Sequence, residues 1–203
     1  YSDAITTVSQ SYADEILTAS FGCGLDGFLR YHKNKLTGII NGIDNEHFTP
    51  SHDKLLEYPF ANLTEKKLNK KSYLKEKSLK GITKPLFIFI GRFTQQKGVD
   101  LLINSLEQIA SSDCNIAILG DGEEIYQEKI MKIVNEYDNI HFEFKYNEVL
   151  SHQMYAAADF LLMPSLFEPC GLNQMIAMSY GSIPIVHKVG GLKDTVHDYK
   201  LFD

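Results

Sequence analysis

The chain has 203 residues, of which 44% are hydrophobic and 23% are charged. This composition is that of a globular protein with an ordinary core, and it argues against disorder. Twenty basic and 26 acidic side chains give a net charge of −6, which argues against nucleic acid or an anionic membrane as a partner. No apolar run approaches the ~20 residues that span a bilayer, so we expect one domain, or one domain with a piece of another.

The cysteines argue for a reducing compartment. Cys23, Cys114 and Cys170 are odd in number and far apart, which excludes a disulfide framework and a Cys-x-x-Cys metal site. A cytoplasmic location is the natural interpretation. The sequence starts at Tyr1 rather than at a methionine and stops abruptly at Asp203, so we expect an internal piece of a longer protein.

The first 40 residues predict a small unit of their own. Its elements in chain order are a strand over residues 4–8, a helix over 10–19, a glycine-rich loop over 21–27 and a strand over 36–40. Ser9 can cap the helix, and the Asn41-Gly42 turn ends the second strand. Residues 41–50 have no periodicity, which indicates a crossing segment or hinge. We therefore place a domain boundary between residues 1–40 and 41–203.

Residues 54–84 contain nine lysines, which is nearly half of the basic residues in the chain. A nucleic-acid patch is one interpretation. Glu57, Glu65 and Glu76 are interleaved with the lysines, however, and no aromatic ladder accompanies them. We therefore favour a solvated helix face.

From Pro85 onward, short apolar strands alternate with helices. The predicted strands cover residues 86–90, 115–119, 140–144, 160–163 and 183–186, and the predicted helices cover 99–109, 123–136, 149–157 and 171–180. This alternation is typical of an α/β protein with an open parallel sheet and helices on both faces. Residues 41–203 are thus predicted to form a Rossmann-like domain.

Glycine-rich or charged loops follow all five predicted strands. These loops cover residues 91–98, 120–122, 145–147, 164–172 and 187–192. Ligands of open α/β sheets bind beyond the carboxyl ends of the strands, so we expect these loops to form one cleft.

Three features of these loops suit a ligand that carries phosphate groups. Arg92 and Lys97 lie between two glycines and offer fixed cations to a diphosphate. Gly171 is expected to open a helix whose N–H groups bind phosphate. Glu168 would repel phosphate, so it is expected to bind hydroxyl groups of whatever the phosphate carries. Each feature alone is more often a surface ion pair, a plain helix start or a capping residue.

Other chemistries find little support. Gly120 and Gly122 begin a dinucleotide-like pattern, but Ile125 stands where its third glycine belongs, which argues against NAD. No Asp-x-Asp occurs and the seven histidines show no metal spacing, so no metal or cofactor is expected. His152 is expected to be structural, and Cys170 to be buried as a small apolar residue.

Several stretches resemble the bacterial glycogen synthase and plant starch synthase family. They are residues 91–98 (GRFTQQKG), 164–172 (PSLFEPCGL), 190–196 (GGLKDTV), 3–9 (DAITTVS) and 41–44 (NGID). Related sugar-nucleotide transferases carry a second glutamate eight residues after Glu168. Here that position is Ile176, with Gln174 nearby, which fits the glycogen and starch synthases better.

The resemblance implies a retaining, metal-independent GT-B glycosyltransferase that moves glucose from ADP-glucose to the non-reducing end of an α-1,4-glucan. The implied catalytic residues are Arg92 and Lys97, which hold the departing diphosphate, and Glu168, which holds the donor glucose. The implied substrate-binding residues are Cys170, Gly171, Leu172 and Asn173 at the phosphates or sugar, and Tyr146 near the adenine.

The same resemblance implies that this chain is half of an active site. Residues 1–40 would be the remnant of an N-terminal domain that supplies the glucan acceptor side, and the isolated chain would be inactive. The location would be cytoplasmic in a bacterium, or the plastid stroma for a plant-type protein. Alternatives are a GT-B transferase that uses UDP-glucose or another donor, and a non-catalytic nucleotide-sugar or glucan-binding module.

Overall fold

A computed structural model describes residues 2–199 of the chain. Its strands are β1 Ile5–Thr7, β2 Leu36–Gly38, β3 Leu86–Ile90, β4 Asn115–Gly120, β5 Ile140–Phe144, β6 Phe160–Met163 and β7 Ile183–Val186. Its α-helices are α1 Gln10–Glu15, α2 Asp26–Tyr31, α3 Leu63–Glu76, α4 Val99–Ala110, α5 Glu124–Val134, α6 Glu148–Ala157, α7 Asn173–Ser179 and α8 Gly190–Thr195. None of the helices in the described part of the chain has both the length and the apolarity to cross a membrane.

The strands form two parallel sheets. β1 and β2 pair with each other, and the other five strands pair in the order β5-β4-β3-β6-β7. Every pairing in the larger sheet is parallel. The predicted open parallel sheet is therefore confirmed, and its five strands agree with the sequence-based bounds to within one residue.

Apolar side chains form one core on each face of the larger sheet. Successive side chains of a strand point to opposite faces, so Ile88 packs with α3, α6 and α7, and Phe89 packs with α4 and α5. Both residues are almost wholly buried. Burying one such side chain contributes about 1.5–3 kcal/mol to stability. Helices on both faces, as predicted, follow from strands that are apolar at nearly every position.

The N-terminal unit packs against the end of the chain through α1 and α8. The Ser11 backbone N–H and hydroxyl donate to the two carboxylate oxygens of Asp194 at 2.8 and 2.5 Å. The Gly190 N–H donates to Glu15 Oε1 at 2.7 Å. These bonds hold α1 beside α8. The Ser9 hydroxyl donates to Pro169 O at 2.6 Å, which joins the N-terminal unit to the loop that follows β6.

Three details of the sequence-based reading are wrong. Helix α1 ends at Glu15 rather than at residue 19. The backbone hydrogen bonds that follow span three residues instead of four, as from the Thr18 N–H to Glu15 O. Helix α7 begins at Asn173, because Gly171 has a left-handed φ of 74° that no helix continues. Helices α2 and α8 were not predicted, since each is only six residues long.

The lysine-rich stretch is not simply a solvated face. It forms α3 as expected, but Lys66 and Lys70 are 7% and 8% exposed. Both ammonium groups reach polar partners at the amino ends of the strands. Lys70 meets the Asp159 carboxylate, which offsets its burial, whereas Lys66 meets the neutral Ser182 hydroxyl.

Candidate functional site

The strand order creates a crevice between β3 and β6. From β3 the chain continues to β4 and β5 on one side, and it returns to form β6 and β7 on the other. The loops after β3 and β6 therefore diverge, and such a switch point is where open α/β sheets bind ligands. A cavity of about 460 Å³ lies there. It is lined by Arg92, Lys97, Glu168, Cys170, Gly171, Leu172 and Asn173, together with Val8, Asn41, Gln96, Met163 and Pro169.

Lys97 and Glu168 meet inside this cavity. Lys97 Nζ lies 2.6 Å from Glu168 Oε2, which also accepts the Ser165 hydroxyl at 3.1 Å. Glu168 is only 6% exposed, and Ser165 is 2% exposed. The glutamate therefore reaches the cavity as a paired and oriented carboxylate. Sequence reasoning missed Ser165 as its partner, although the residue stands only three positions away.

Close backbone contact joins the loops after β3 and β6. Leu166 N–H donates to Gln96 O at 2.9 Å, and Gly98 adopts a left-handed φ of 68°. A Cβ atom on Gly98 would lie 2.0 Å from Pro164 O, so only glycine fits there. This contact fixes Lys97 opposite Glu168.

Arg92 is the cation that the protein leaves available. It is exposed and follows β3 directly. Within residues 2–199 its side chain has no ion-pair or hydrogen-bond partner. An unpaired guanidinium in a crevice beside a lysine is suited to a diphosphate, which it can bind in bidentate fashion.

Three residues just before and at the start of α7 line the same crevice. In the described part of the chain, the backbone N–H groups of Gly171, Leu172 and Asn173 have no acceptor. The Asn173 side chain is used for structure, since its amide donates to Ile90 O at 2.7 Å. Gly171 thus precedes the helix rather than opening it, but the residue still lines the cavity.

Gln174 has a structural role at this cavity that sequence reasoning missed, although the residue was noted in the family resemblance. It is fully buried, and its amide nitrogen donates to Cys170 O, Gly171 O and the Thr195 hydroxyl at 3.1, 2.9 and 3.0 Å. The side chain thereby holds the Cys170–Leu172 turn against α8. The sequence offered no signal beyond its place one turn after Cys170.

Two glycines of α8 support the loop that carries Glu168. A Cβ atom on Gly190 would lie 2.0 Å from Glu168 O, and one on Gly191 would lie 2.2 Å from Cys170 O. The Gly191 N–H donates to Glu168 O at 2.9 Å. The GGL stretch is therefore a supporting element of the cavity wall.

Tyr146 is the predicted site residue that the structure does not bring to this cavity. It follows β5, at one outer edge of the sheet, and its side chain is 56% exposed. The crevice lies two strands away, between β3 and β6. Cys170 is buried at 5% exposure, as expected. His187 Nδ1–H donates a hydrogen bond to Ser165 O at 2.9 Å.

Two family models match the chain. The model "Glycosyl transferases group 1" matches residues 70–202, and the model "Starch synthase catalytic domain" matches residues 1–31. The first covers well over half of the chain and every residue that lines the crevice except Val8 and Asn41. The chain therefore belongs to the group 1 glycosyl transferases.

Among individual relatives, the chain is similar to glycogen synthases. It is 44% identical over 205 residues to that of Cellvibrio japonicus, covering 99% of this chain and 43% of the relative. It is 46% identical over 201 residues to that of Marinobacter nauticus, covering 98% of this chain and 41% of the relative. The chain thus spans less than half the length of these relatives.

Solved structures agree with the sequence relatives. The catalytic domain of starch synthase IV from Arabidopsis thaliana, bound to ADP and acarbose, matches with a TM-score of 0.93 at 40% identity, over 98% of this chain and 42% of that one. Sucrose-phosphate synthase from Thermosynechococcus elongatus matches with a TM-score of 0.66 at 22% identity, over 97% and 43%. The second likeness supports the fold alone.

Proposed function

We propose that this chain is the donor-binding half of a glycogen or starch synthase. Such an enzyme transfers glucose from ADP-glucose to the non-reducing end of an α-1,4-glucan with retention of configuration. The observation that carries the proposal is the cavity between β3 and β6, where Arg92, Lys97 and Glu168 converge. The glycogen synthase relatives, and the ADP bound to starch synthase IV, support the choice of donor.

The division of labour follows from charge. Arg92 and Lys97 bind the diphosphate and stabilise the negative charge that it gains as it leaves. The free N–H groups at Gly171, Leu172 and Asn173 add fixed dipoles on the same side. Because these groups are held before the reaction begins, they stabilise the departing charge without reorganising.

The Lys97–Glu168 contact allows both residues to act at once. An ammonium group has three donors, so Lys97 can keep its 2.6 Å bond to Glu168 while it binds a phosphate oxygen. Glu168 retains a second oxygen for a hydroxyl of the donor sugar. The lysine thereby screens the phosphate from the negative charge of the carboxylate. It also fixes the position of the sugar-binding carboxylate relative to the diphosphate.

The domain assignment remains part of the proposal. Residues 1–40, with the two-stranded sheet, belong to the acceptor-side domain of a GT-B enzyme, and residues 41–203 form the donor-side domain. Tyr146 contacts the adenine only if the nucleotide extends along the sheet edge toward β5. Three free cysteines accord with a reducing location such as the cytoplasm.

The direct test is turnover by the longer protein that carries this chain. It is incubated with glycogen and either ADP-glucose or UDP-glucose, and release of the nucleoside diphosphate is measured. We expect release from ADP-glucose that depends on glycogen. Preference for UDP-glucose would favour the neighbouring transferases, and binding without release from either donor would favour a non-catalytic module.

The chain alone offers a second test. We expect it to bind ADP weakly and to transfer no glucose, because the acceptor side is contributed by the remainder of the protein. Elongation of glycogen by the 203-residue chain would show that this division between donor and acceptor halves is wrong.

A further inference from the structure

A cluster of metal-binding side chains lies away from the donor cavity. His47 stands on the connecting segment, residues 39–62, which joins β2 to α3, and Glu148 and His152 stand one turn apart on α6. The three ligand atoms that they offer all lie within 4.8 Å of one another. His47 Nε2 is 3.0 Å from Glu148 Oε1. Residues 101 positions apart thus meet, which explains why sequence spacing did not reveal the group.

His152 is prepared to act as a ligand. It is 1% exposed, and its Nδ1 lies 2.7 Å from Asp53 Oδ2, which also accepts the Tyr180 hydroxyl at 2.5 Å. A carboxylate at Nδ1 places the proton there and leaves a lone pair on Nε2. Nε2 is buried and has no hydrogen-bond partner among the described residues. A buried nitrogen left without a partner calls for an explanation, and a bound cation supplies one.

The neighbours of this cluster hold it in place. Asp44 Oδ1 accepts the N–H groups of Glu46 and His47 at 2.9 and 3.2 Å, which fixes the backbone at His47. The Phe48 ring stacks on the His152 ring at 4.9 Å with an interplanar angle of 19°. Glu148 lies in the first turn of α6. The connecting segment and α6 are therefore already held next to each other at the point where a metal would join them.

We propose that His47, Glu148 and His152 bind a divalent transition-metal ion of the zinc class, with Asp53 orienting His152 from behind. Two imidazoles and one carboxylate are a common zinc ligand set, and water completes the tetrahedron. Ligand bonds of about 2.0–2.1 Å require the three groups to draw together. His47 and Glu148 are exposed, so they can make this adjustment while His152 stays fixed.

The place of the cluster in the fold indicates a structural role. A metal there would clip the connecting segment to α6, and this segment also carries Asn41, which lines the donor cavity. Hydrogen bonds alone account for the His47–Glu148 and His152–Asp53 contacts, but they leave His152 Nε2 unexplained. The proposal does not depend on the glucosyl transfer, and metal binding alone tests it.

The test is calorimetric titration of ZnCl₂ into the chain, together with thermal unfolding. Cys23 is replaced by serine throughout, because an exposed thiol also binds zinc. We expect one bound zinc per chain and a rise in Tm of about 5–10 °C at 100 times the dissociation constant. MgCl₂ should have no effect, because Mg²⁺ prefers oxygen ligands.

Variants locate the site. His47→Ala and Glu148→Gln change exposed residues, so both should fold, and each should weaken zinc binding at least about 10-fold. His52→Ala is the matched control, since His52 is an exposed histidine of the same segment whose side chain, within residues 2–199, hydrogen-bonds to Ser51 alone, and the variant should bind zinc normally. Asp53→Asn should weaken zinc binding about 10–100-fold without removing a ligand. No zinc binding, or binding unchanged in His47→Ala and Glu148→Gln, would overturn the proposal.

Discussion

The two ends of the large sheet use lysine in opposite ways. At the amino end, Lys70 Nζ donates to Asp159 Oδ2 and to Lys84 O at 2.6 and 2.7 Å, and Lys66 Nζ donates to the Ser182 hydroxyl at 2.8 Å. At the carboxyl end, the Lys97 ammonium has a single partner among the described residues, Glu168, in an open cavity. The same side chain thus completes a structural network at one end and leaves binding capacity at the other.

The difference lies in how many partners the fold supplies. Asp159 also accepts the Leu86 N–H at 2.7 Å, and Ser182 contacts the carbonyls of Tyr155 and Ala158, so the amino end forms closed networks. The carboxyl end leaves the Arg92 guanidinium without a partner in the described part of the chain. A charge whose partners the protein already supplies is used within the fold, whereas one left open is available to a ligand.

The largest effect should come from removing the open cations. In the longer protein, we expect Lys97→Ala and Arg92→Ala each to lower kcat by ~10²–10³, as the loss of one transition-state charge stabiliser does. Because this charge grows as the diphosphate leaves, kcat should fall more than KM rises. Steady-state kinetics with the donor varied measures both constants. An unchanged kcat in either variant would place the charge stabilisation elsewhere.

Lys66 sharpens the comparison through pH. Burial, together with repulsion from Lys70, lowers the pKa of Lys66 to about 8 despite attraction by Asp159. Between pH 8 and about 10.4 the unfolded chain then binds more protons than the folded one, so this lysine adds stability as pH rises through that window. The full gain is about 3 kcal/mol, at 1.36 kcal/mol for each pKa unit.

Lys66→Met should abolish this rise in stability with pH. Near pH 7 the variant should be more stable than the wild type. Urea unfolding at pH 7.5, 9 and 10.5 measures it, and Lys67→Met, at an exposed neighbour, is the control. Parallel stability curves for the wild type and Lys66→Met would show that the buried ammonium carries no such cost.

Lys70→Met should separate stability from ligand binding. Loss of the contact with Asp159 leaves a partly buried carboxylate without its cation, and we expect a loss of about 2 kcal/mol. The figure is below that of a wholly buried pair because Asp159 is 39% exposed. ADP affinity should not change. Urea unfolding measures the loss of stability, and ADP titration measures the affinity. Lys71→Met, at an exposed lysine, is the control for both.

Ser165→Ala should give the smallest effect. It removes the 3.1 Å hydrogen bond to Glu168 and leaves the Lys97 contact intact. A hydrogen bond contributes about 1 kcal/mol, so we expect kcat/KM for the donor to fall about 5-fold. Measurement of ADP affinity, which should stay constant, distinguishes a role in positioning the glutamate from a general loss of structure. No change in kcat/KM would mean that Lys97 alone orients Glu168.

Much of the fold could be predicted because it depends on local patterns. Strand Leu86–Ile90 is apolar at every position and is followed by a loop with two glycines. The sequence therefore predicted both the strand and a ligand-binding loop at its carboxyl end. The lysine-rich helix was readable as a helix. Its burial was not, because Lys66 reaches Ser182, 116 residues away in sequence.

The site divides in the same way. Arg92, Lys97 and Glu168 could be selected because each follows a strand, and parallel strands end at one edge. Strand order decides which loops become neighbours, and no local sequence pattern predicts that order. The loop after β5 carries Tyr146 at an outer edge, whereas the loops after β3 and β6 share the crevice.

The most direct measurement is a calorimetric titration of ADP into the wild-type chain and four variants. We expect Arg92→Ala and Lys97→Ala to weaken ADP binding at least about 10-fold, as loss of a charge-assisted contact does. Glu168→Gln should bind ADP equally or slightly more tightly, because a negative charge beside the phosphate has gone. Lys70→Met should bind normally. If Lys97→Ala bound ADP as the wild type does, or Glu168→Gln lost as much affinity as Lys97→Ala, the carboxyl end of the sheet would not be the diphosphate site described here.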